Sequence, residues 1–186
     1  MVAIHLQWLP ILLSAVFVFI ASSLVHMILP WHKSDYPKLE NEDKVTDALR
    51  ALNIPDGEYF APRPASTKDM GSPEFKEKMK KGPVFMLNIQ GSGSTAMGKP
   101  LMLWFLYSLG IGVFCAYVTG RALPAGTDYL HVFRFVGTTA LLGYTAALWQ
   151  SWIWWRKPFG VTLKASIDGL FYALITAGTF GWLWPR

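Results

Sequence analysis

The chain of 186 residues is 52% hydrophobic and 15% aromatic, only 16% of its residues are charged, and its formal net charge is +5. Its apolar residues lie in long blocks, and a charge-poor run of about 20 residues is long enough to cross a bilayer as a helix. The composition therefore predicts a membrane protein. A single cysteine, Cys115, excludes an internal disulfide and a cysteine-based metal site.

The first apolar block covers residues 8–29, with Pro10 in its first turn, where a proline is tolerated. Neither a basic segment before it nor a small-residue cleavage site after it indicates a removable signal peptide. We therefore expect this block to stay in the protein as a membrane anchor. Residues 1–32 form the first predicted segment.

A polar insert of residues 33–100 follows, and it contains eleven lysines and arginines beside ten acids. This near balance argues against a strong binding surface for nucleic acid. The segment "NEDKVTDALRAL", with Asn41 as its N-cap, predicts an amphipathic helix. Ser72 and Pro73 predict the start of a second short helix. The segment "NIPDGEYF" predicts a turn and an extended piece, and "VFMLNI" predicts a short strand.

The end of the insert has the order of a phosphate-binding loop, because a strand-like run leads to Gly93, Gly98 and Lys99 before an apolar helix. The position that needs a hydroxyl for Mg²⁺ holds Pro100, which also lacks an amide hydrogen. The insert also has no room for the parallel sheet on which such a loop sits. We therefore predict no nucleotide site, but a flexible glycine-serine linker that leads to Lys99 at the lipid headgroups and Pro100 at the start of the next helix.

Three further apolar blocks follow the insert, and they cover about residues 101–120, 132–155 and 165–184. The pattern predicts an all-α membrane protein with four transmembrane helices and a mixed helical and extended cytoplasmic insert between helices 1 and 2. Residues 101–186 form the predicted three-helix transmembrane bundle.

Lysine and arginine are concentrated on one side of the four predicted helices. Lys33, Arg156, Lys157 and Lys164 lie close to helix ends on the side of the insert, and short loops rich in these residues stay in the cytoplasm. We therefore expect the insert to be cytoplasmic and both termini to be periplasmic.

Helices 2, 3 and 4 each carry small residues at four-residue spacing, so that each row lies along one helix face and lets another helix approach closely. The rows are Ser108, Gly112, Ala116 and Gly120; Thr139, Gly143, Ala147 and Ser151; and Ala165, Gly169, Ala173, Ala177 and Gly181. We predict a compact bundle of helices 2 to 4, although ordinary packing within the chain explains such rows equally well. Helix 1 is bulky at Phe17, Ile20 and Leu24, so we expect it to pack more loosely, or against lipid or a partner.

Few ionisable residues fall inside the predicted helices, whereas transporters and proton relays usually need them in mid-span. Asp168 is expected in the first turn of helix 4, where it suits the helix dipole. Asp128 is expected to pair with Arg134 or Arg121 at the membrane interface. We interpret these charges as structural, and transport ranks below the other functions.

All four histidines lie at or near helix ends, and no helix holds a spaced pair of them. An imidazole can be the axial ligand of haem or bacteriochlorophyll, and His26 and His131 are the first candidates. An ordinary interfacial histidine is the alternative for each. No metal ligand set is predicted, and no nucleophile, base and acid can be combined without arbitrary choice, so we do not expect an enzyme.

The segments "SSLVHMILPWHKSDYPKLENED", "GTDYLHVFRFVGT" and "DGLFYALITAGTFGWLWP" resemble an uncharacterised family of small four-helix bacterial inner-membrane proteins. The resemblance extends over nearly the whole chain. It implies a bacterial inner membrane and one shared architecture, and it brings no catalytic residue. It also suggests an extra subunit of a photosynthetic reaction centre–light-harvesting complex.

The leading hypothesis is a non-enzymatic accessory subunit of a bacterial membrane protein complex, whose helices contact other subunits and lipid. The amphipathic helices of the insert would dock on a partner through four apolar side chains, Leu49, Leu52, Phe75 and Met79. No cofactor is predicted for this role. The alternative is a haem- or bacteriochlorophyll-binding redox or antenna subunit that uses His26 or His131.

Overall fold

The computed structural model describes residues 1–91 and 96–186, and the glycine-serine linker predicted around Gly93 lies outside that part of the chain. The described residues are mostly helical. In chain order they form α1 (Trp8–Ser23), α2 (Glu42–Ala51), β1 (Gly57–Ala61), α3 (Pro73–Lys81), β2 (Phe85–Ile89), α4 (Gly98–Ala122), α5 (Tyr129–Thr145), α6 (Leu148–Trp155) and α7 (Phe159–Trp182). A 3₁₀ turn, Ile4–Gln7, precedes α1, and a π turn, Leu24–Ile28, follows it.

The chain divides into two compact units, one of Met1–Pro37 with Ala96–Arg186 and the other of Lys38–Thr95. The first helix therefore belongs to the same unit as the last helices, whereas the sequence suggests a separate segment. Among the described residues, three helices are long and apolar enough to cross a membrane: Ile4–Ile28, Gly98–Ala122 and Phe159–Trp182.

Four helical segments pack side by side in the larger unit, because α1 and α5 each contact both α4 and α7. Small residues line these contacts, and they let the helix backbones approach each other closely. On α4 the buried small residues include Ser108, Gly112, Ala116 and Gly120. On α7 they include Gly169, Ala173 and Ala177, while Ala165 and Gly181 are half-buried.

The helix α1 is a full member of this bundle and does not pack loosely. Ile11 and Ala15 are buried, and a side-chain atom of Ile11 lies 3.3 Å from the position that a Cβ on Gly112 would occupy. The bulky residues Phe17 and Ile20 are exposed on another part of the helix surface. The packed face of α1 was missed because it mixes small and large residues instead of repeating small ones.

The third predicted helix, 132–155, is two helices in the structure, since it is interrupted at Ala146–Ala147. Its buried row is also different from the predicted one. The buried residues of α5 are Val132, Val136, Ala140 and Tyr144. The predicted row of Thr139, Gly143, Ala147 and Ser151 lies beside this face, and Ala147 is exposed. Larger side chains, such as Val136 and Tyr144, fill much of the buried face of α5, so residue size alone did not identify that face.

Backbone hydrogen bonds close one end of the larger unit. The Val2 amide donates to the Gly120 carbonyl over 2.7 Å, and the Gly126 amide donates to the Pro185 carbonyl over 2.9 Å. Segments from both ends of the sequence therefore meet where α4 ends and α5 begins. The carboxyl end of α1 and the amino end of α7 meet at the opposite end of the unit.

The start of α5 is fixed by an N-cap. The Asp128 side chain accepts hydrogen bonds from the backbone amides of Leu130 and His131 and also contacts the His131 ring. The expected pairing with Arg134 or Arg121 is wrong, because the ion pair that Asp128 makes within the described chain is with His131. Hydrogen bonds from His131 hold the pKa of the Asp128 carboxyl below its ordinary value.

Replacing Asp128 with alanine should lower the thermal midpoint of the protein, because two backbone amides at the start of α5 lose their acceptor. Asp128→Asn should keep most of the stability, since an asparagine oxygen also caps a helix. Thermal unfolding of both variants in detergent measures this. Equal losses in the two variants would show that the charge of Asp128 matters more than its capping bond.

The smaller unit contains α2, α3 and a two-stranded antiparallel sheet. In this sheet Gly57 lies opposite Ile89, and Ala61 lies opposite Phe85. Between residues 38 and 91, all of which the structure describes, no residue is fully buried. This unit therefore has no closed hydrophobic core of its own.

The two helices of the smaller unit begin differently. Ser72 caps α3 as predicted, because its side chain accepts a hydrogen bond from the Phe75 amide. Asn41 precedes α2 with a left-handed backbone, φ 57°, and its side chain makes no capping bond. The prediction of an asparagine cap is therefore wrong. Asparagine tolerates the left-handed conformation better than most residues do, and this property suits it to that turn.

Candidate functional site

A cluster of polar side chains lies where the carboxyl end of α1 meets α7. The π turn after α1 carries His26, and a 3₁₀ turn, Pro30–His32, carries His32. The two imidazole rings stack with their centroids 4.3 Å apart. The irregular turns bring both rings to one place, because six residues of regular helix would separate them by about 9 Å along the axis.

His32 bridges two carboxylates. Its Nδ1 lies 2.7 Å from an Asp35 oxygen, and its Nε2 lies 2.8 Å from Oδ2 of Asp168. The two carboxylate side chains are only 5% and 4% exposed. An ionised carboxylate only accepts hydrogen bonds, so both ring nitrogens must donate when both acids are charged. The bridge therefore joins the loop after α1 to the middle of α7.

Lys164 completes this network. Its Nζ donates to Oδ1 of Asp35 over 2.7 Å, and to the Trp31 carbonyl and the Ser34 hydroxyl over 2.9 Å each. Hydrogen bonds from His32 and then from Lys164 hold the pKa of the Asp35 carboxyl below its ordinary value. Such a shift stabilises the fold above the ordinary pKa, and the contribution is lost as the pH falls through the lowered value.

The position of Asp168 in its helix differs from the predicted position. The sequence predicts this residue in the first turn of a helix at the interface, but α7 already begins at Phe159. Asp168 is thus in the third turn and buried. A buried carboxylate is costly unless it is paired and hydrogen-bonded, and His32 supplies that bond. His32 is therefore needed by the fold, in addition to any other role.

A cavity of about 550 Å³ lies beside the cluster and is lined by residues of α4, α5 and α7. Its wall includes four aromatic rings, those of Trp104, Tyr107, Tyr144 and Tyr172. The centroids of neighbouring rings in this group are 5.5 to 6.3 Å apart. His26 and Asp168 also line this cavity. The space combines an aromatic wall with a polar edge, which is typical of small-molecule sites.

Two of the aromatic rings are fixed by hydrogen bonds. Trp104 Nε1 donates to the Ser22 hydroxyl over 2.8 Å, and the Tyr107 hydroxyl donates to the Gly143 carbonyl over 2.7 Å. Gly143, from the predicted packing row of helix 3, therefore positions a ring of the cavity wall.

The two histidine candidates lie in different surroundings. His26 lines the cavity, and its Nε2 is 3.5 Å from the Tyr172 hydroxyl, at the limit of a hydrogen bond. His131 is exposed at the start of α5, near the other end of the larger unit, and its ring contacts Asp128. The cavity next to His26 therefore distinguishes it from His131.

Sequence reasoning missed Asp35, Lys164 and the bridging role of His32. Two spacings point to them. His32 and Asp35 are three residues apart, and Lys164 and Asp168 are four apart, which places the second pair on one face of α7. Neither spacing shows that the two pairs meet, because 136 residues separate His32 from Asp168.

Within residues 1–91 and 96–186, the fold has three helices that are apolar and long enough to cross a membrane. It also has a buried histidine–carboxylate network beside an aromatic cavity. Comparisons with protein-family models, with curated proteins and with solved structures found no match to this chain.

Proposed function

We propose that the larger unit crosses the membrane four times, with α5 and α6 together forming the crossing that is not one continuous helix. Contacts at both ends of α7 support this. A Cβ on Gly181 would lie 2.7 Å from the Tyr129 ring at the start of α5. Trp149 and Trp152 of α6 contact Phe159, the first residue of α7. The pair α5–α6 therefore runs along the full length of α7.

The proposed orientation places the insert in the cytoplasm and both termini in the periplasm of a bacterium. The cations Lys33, Arg156, Lys157 and Lys164 favour the cytoplasm for the insert side. The family resemblance of the sequence supports the inner membrane. Apolar side chains on the outer faces of α1, α4 and α7 would contact lipid or other subunits.

The role proposed for the protein is a non-enzymatic accessory subunit of a membrane protein complex. The observation that carries this proposal is the smaller unit, in which no residue from 38 to 91 is fully buried. Leu49, Phe75 and Met79 are half-buried, and Leu52 is 68% exposed. A partner surface would supply the apolar contacts that this unit lacks. The family resemblance suggests a photosynthetic reaction centre–light-harvesting complex as that partner.

Replacing Leu49 and Leu52 with glutamate should release the partner and leave the transmembrane unit folded. We expect the yield of co-purified partner to fall by at least about tenfold, because a charge at the centre of an apolar interface costs about 2 kcal/mol or more. The measurement is purification from native membranes in mild detergent, with mass spectrometry of the accompanying chains.

The matched control is Ala51→Glu, which adds one charge at an exposed position of the same helix and leaves both leucines in place. This variant should keep the partner. Retained association in the leucine variants would exclude this docking surface. A protein that purifies without any stoichiometric partner would contradict the accessory-subunit proposal itself.

A second candidate function, binding of haem or bacteriochlorophyll, is favoured by the position of His26 on the aromatic cavity. In that case the purified protein should show a Soret or bacteriochlorophyll absorption band. His26→Gln should lose the band, and His131→Gln should keep it. A colourless protein from native membranes would remove this alternative.

A further inference from the structure

We infer that His26, His32 and Asp168 form a binding site for a divalent transition-metal ion. One ligand atom from each of these residues can be chosen so that all three lie within 4.8 Å of one another. The three residues come from the π turn after α1, the 3₁₀ turn that follows, and α7. Three separate segments therefore converge on one point at the edge of the aromatic cavity.

The second carboxylate of the cluster gives His32 the environment of a metal ligand. Metal-binding histidines usually donate their other ring hydrogen to a carboxylate, which fixes the ring orientation and the tautomer. Asp35 accepts this bond from Nδ1 of His32, and Lys164 holds Asp35 in turn. The Nε2 atom is thereby directed at Asp168, and an ion can replace the hydrogen between these two atoms.

Asp168 has the capacity to bind an ion. Its side chain is 4% exposed, and among the described residues its hydrogen-bond partner is His32, through Oδ2 alone. The nearby cation Lys164 is already bound to Asp35. With both carboxylates ionised, His32 donates from both ring nitrogens and balances the cluster together with Lys164. When Nε2 of His32 gives up its hydrogen, one negative charge is left uncompensated, and a divalent ion would neutralise it.

Binding requires a small movement of His26. Metal–nitrogen bonds of about 2.0–2.1 Å place the ligand atoms of a tetrahedral site about 3.4 Å apart. His32 Nε2 and Asp168 Oδ2, which are 2.8 Å apart, must therefore separate slightly, while the His26 nitrogen comes closer. Two stacked rings cannot both point at one ion, so the His26 ring must turn. Among the described residues this turn gives up two weak contacts of the ring, the 3.5 Å approach of Nε2 to the Tyr172 hydroxyl and the stacking on His32.

The donor set defines the class of ion. Two imidazoles and one carboxylate suit Zn²⁺, Fe²⁺ or a similar transition ion, whereas Mg²⁺ and Ca²⁺ prefer oxygen ligands. Three protein ligands leave at least one coordination position open. Since His26 and Asp168 both line the aromatic cavity, that position would face a space large enough for a small ligand.

The test is titration of the full-length protein in detergent, purified through a tag without histidine and stripped with a chelator, with Zn²⁺ and with Co²⁺ as a spectroscopic probe. We expect one equivalent to bind. Asp35→Asn should weaken binding by about 10–100-fold, as expected for a residue that orients a metal ligand. His26→Gln and Asp168→Asn should each abolish stoichiometric binding.

His26→Gln is the decisive variant, because it leaves the bonds among Asp35, His32 and Asp168 in place and so should fold. His5→Gln and His131→Gln are matched controls and should bind like the wild type. The proposal is overturned if the wild type binds no saturating equivalent, or if His26→Gln binds as tightly as the wild type. It is also overturned if the protein from native membranes carries haem on His26.

Discussion

Replacing Gly120 with alanine should destabilise the protein by about 1–3 kcal/mol, the usual cost of extra atoms in a closely packed contact. A Cβ at this position would lie 2.3 Å from the Val2 carbonyl oxygen and 2.6 Å from Nε2 of Gln7. The Val2 oxygen is backbone, and the same residue donates its amide to the Gly120 carbonyl. The segment before α1 would therefore have to leave its place on α4.

Gly110→Ala is the matched control for this substitution. Gly110 is on the same helix. Apart from its chain neighbours and the nearby backbone of α4, no described residue has an atom within 4 Å of the position that a Cβ on Gly110 would occupy. Alanine there should be neutral or should stabilise the helix by about 0.5–1 kcal/mol. Unfolding of both variants in the same detergent gives the comparison. Equal stability of the two variants would show that the close approach of Val2 to α4 contributes nothing.

Replacing His32 with alanine should cost about 3–5 kcal/mol, the range observed when one partner of a buried ion pair is removed. The carboxylate of Asp168 would be left buried without a donor, while Asp35 would keep Lys164. Chemical unfolding of the purified protein measures the loss. The control is His131→Ala, which breaks an exposed contact and should change stability far less.

The double variant His32→Ala with Asp168→Leu isolates the cause of that loss. If the cost comes from an unpaired buried charge, removal of Asp168 should restore part of the stability lost in His32→Ala. Additive losses in the double variant would mean that packing of the His32 ring, rather than its hydrogen bonds, stabilises this end of the unit.

Long apolar blocks were the part of the fold that the sequence predicted best. The predicted block at 101–120 lies within α4, and the block at 8–29 contains α1. The interruption at Ala146–Ala147 was not predictable, because alanine favours a helix and neither proline nor glycine marks the break. The sequence also predicts too late a start for the last helix, which begins at Phe159. For this reason Asp168 is predicted in a first turn at the surface, whereas it lies in the third turn and is buried.

The candidate site depends on contacts that local patterns do not contain. His26 was singled out as a ligand candidate, and the structure places it on the cavity. His32 was interpreted as an interfacial residue, and its two carboxylate partners come from different segments of the chain. His32 and Asp168 come together because of the way α1 packs against α7. That packing depends on side-chain shape along both helices and not on the spacing of charges in either one.

The polar groups of α1 and its flanking turns have implications for the order of synthesis and assembly. Three hydrogen bonds join this region to distant parts of the chain. Ser22 bonds Trp104, Gln7 bonds the Ala116 carbonyl, and His32 bonds Asp168, at sequence separations of 82, 109 and 136 residues. During synthesis the first helix is therefore made before any of these partners, and its contacts are complete only when α7 has been made. Contacts between residues so distant in sequence form slowly during folding. A ribosome that stalls before α7 would leave an intermediate in which Asp35 lacks Lys164 and His32 lacks Asp168, although His32 and Asp35 could still bond each other.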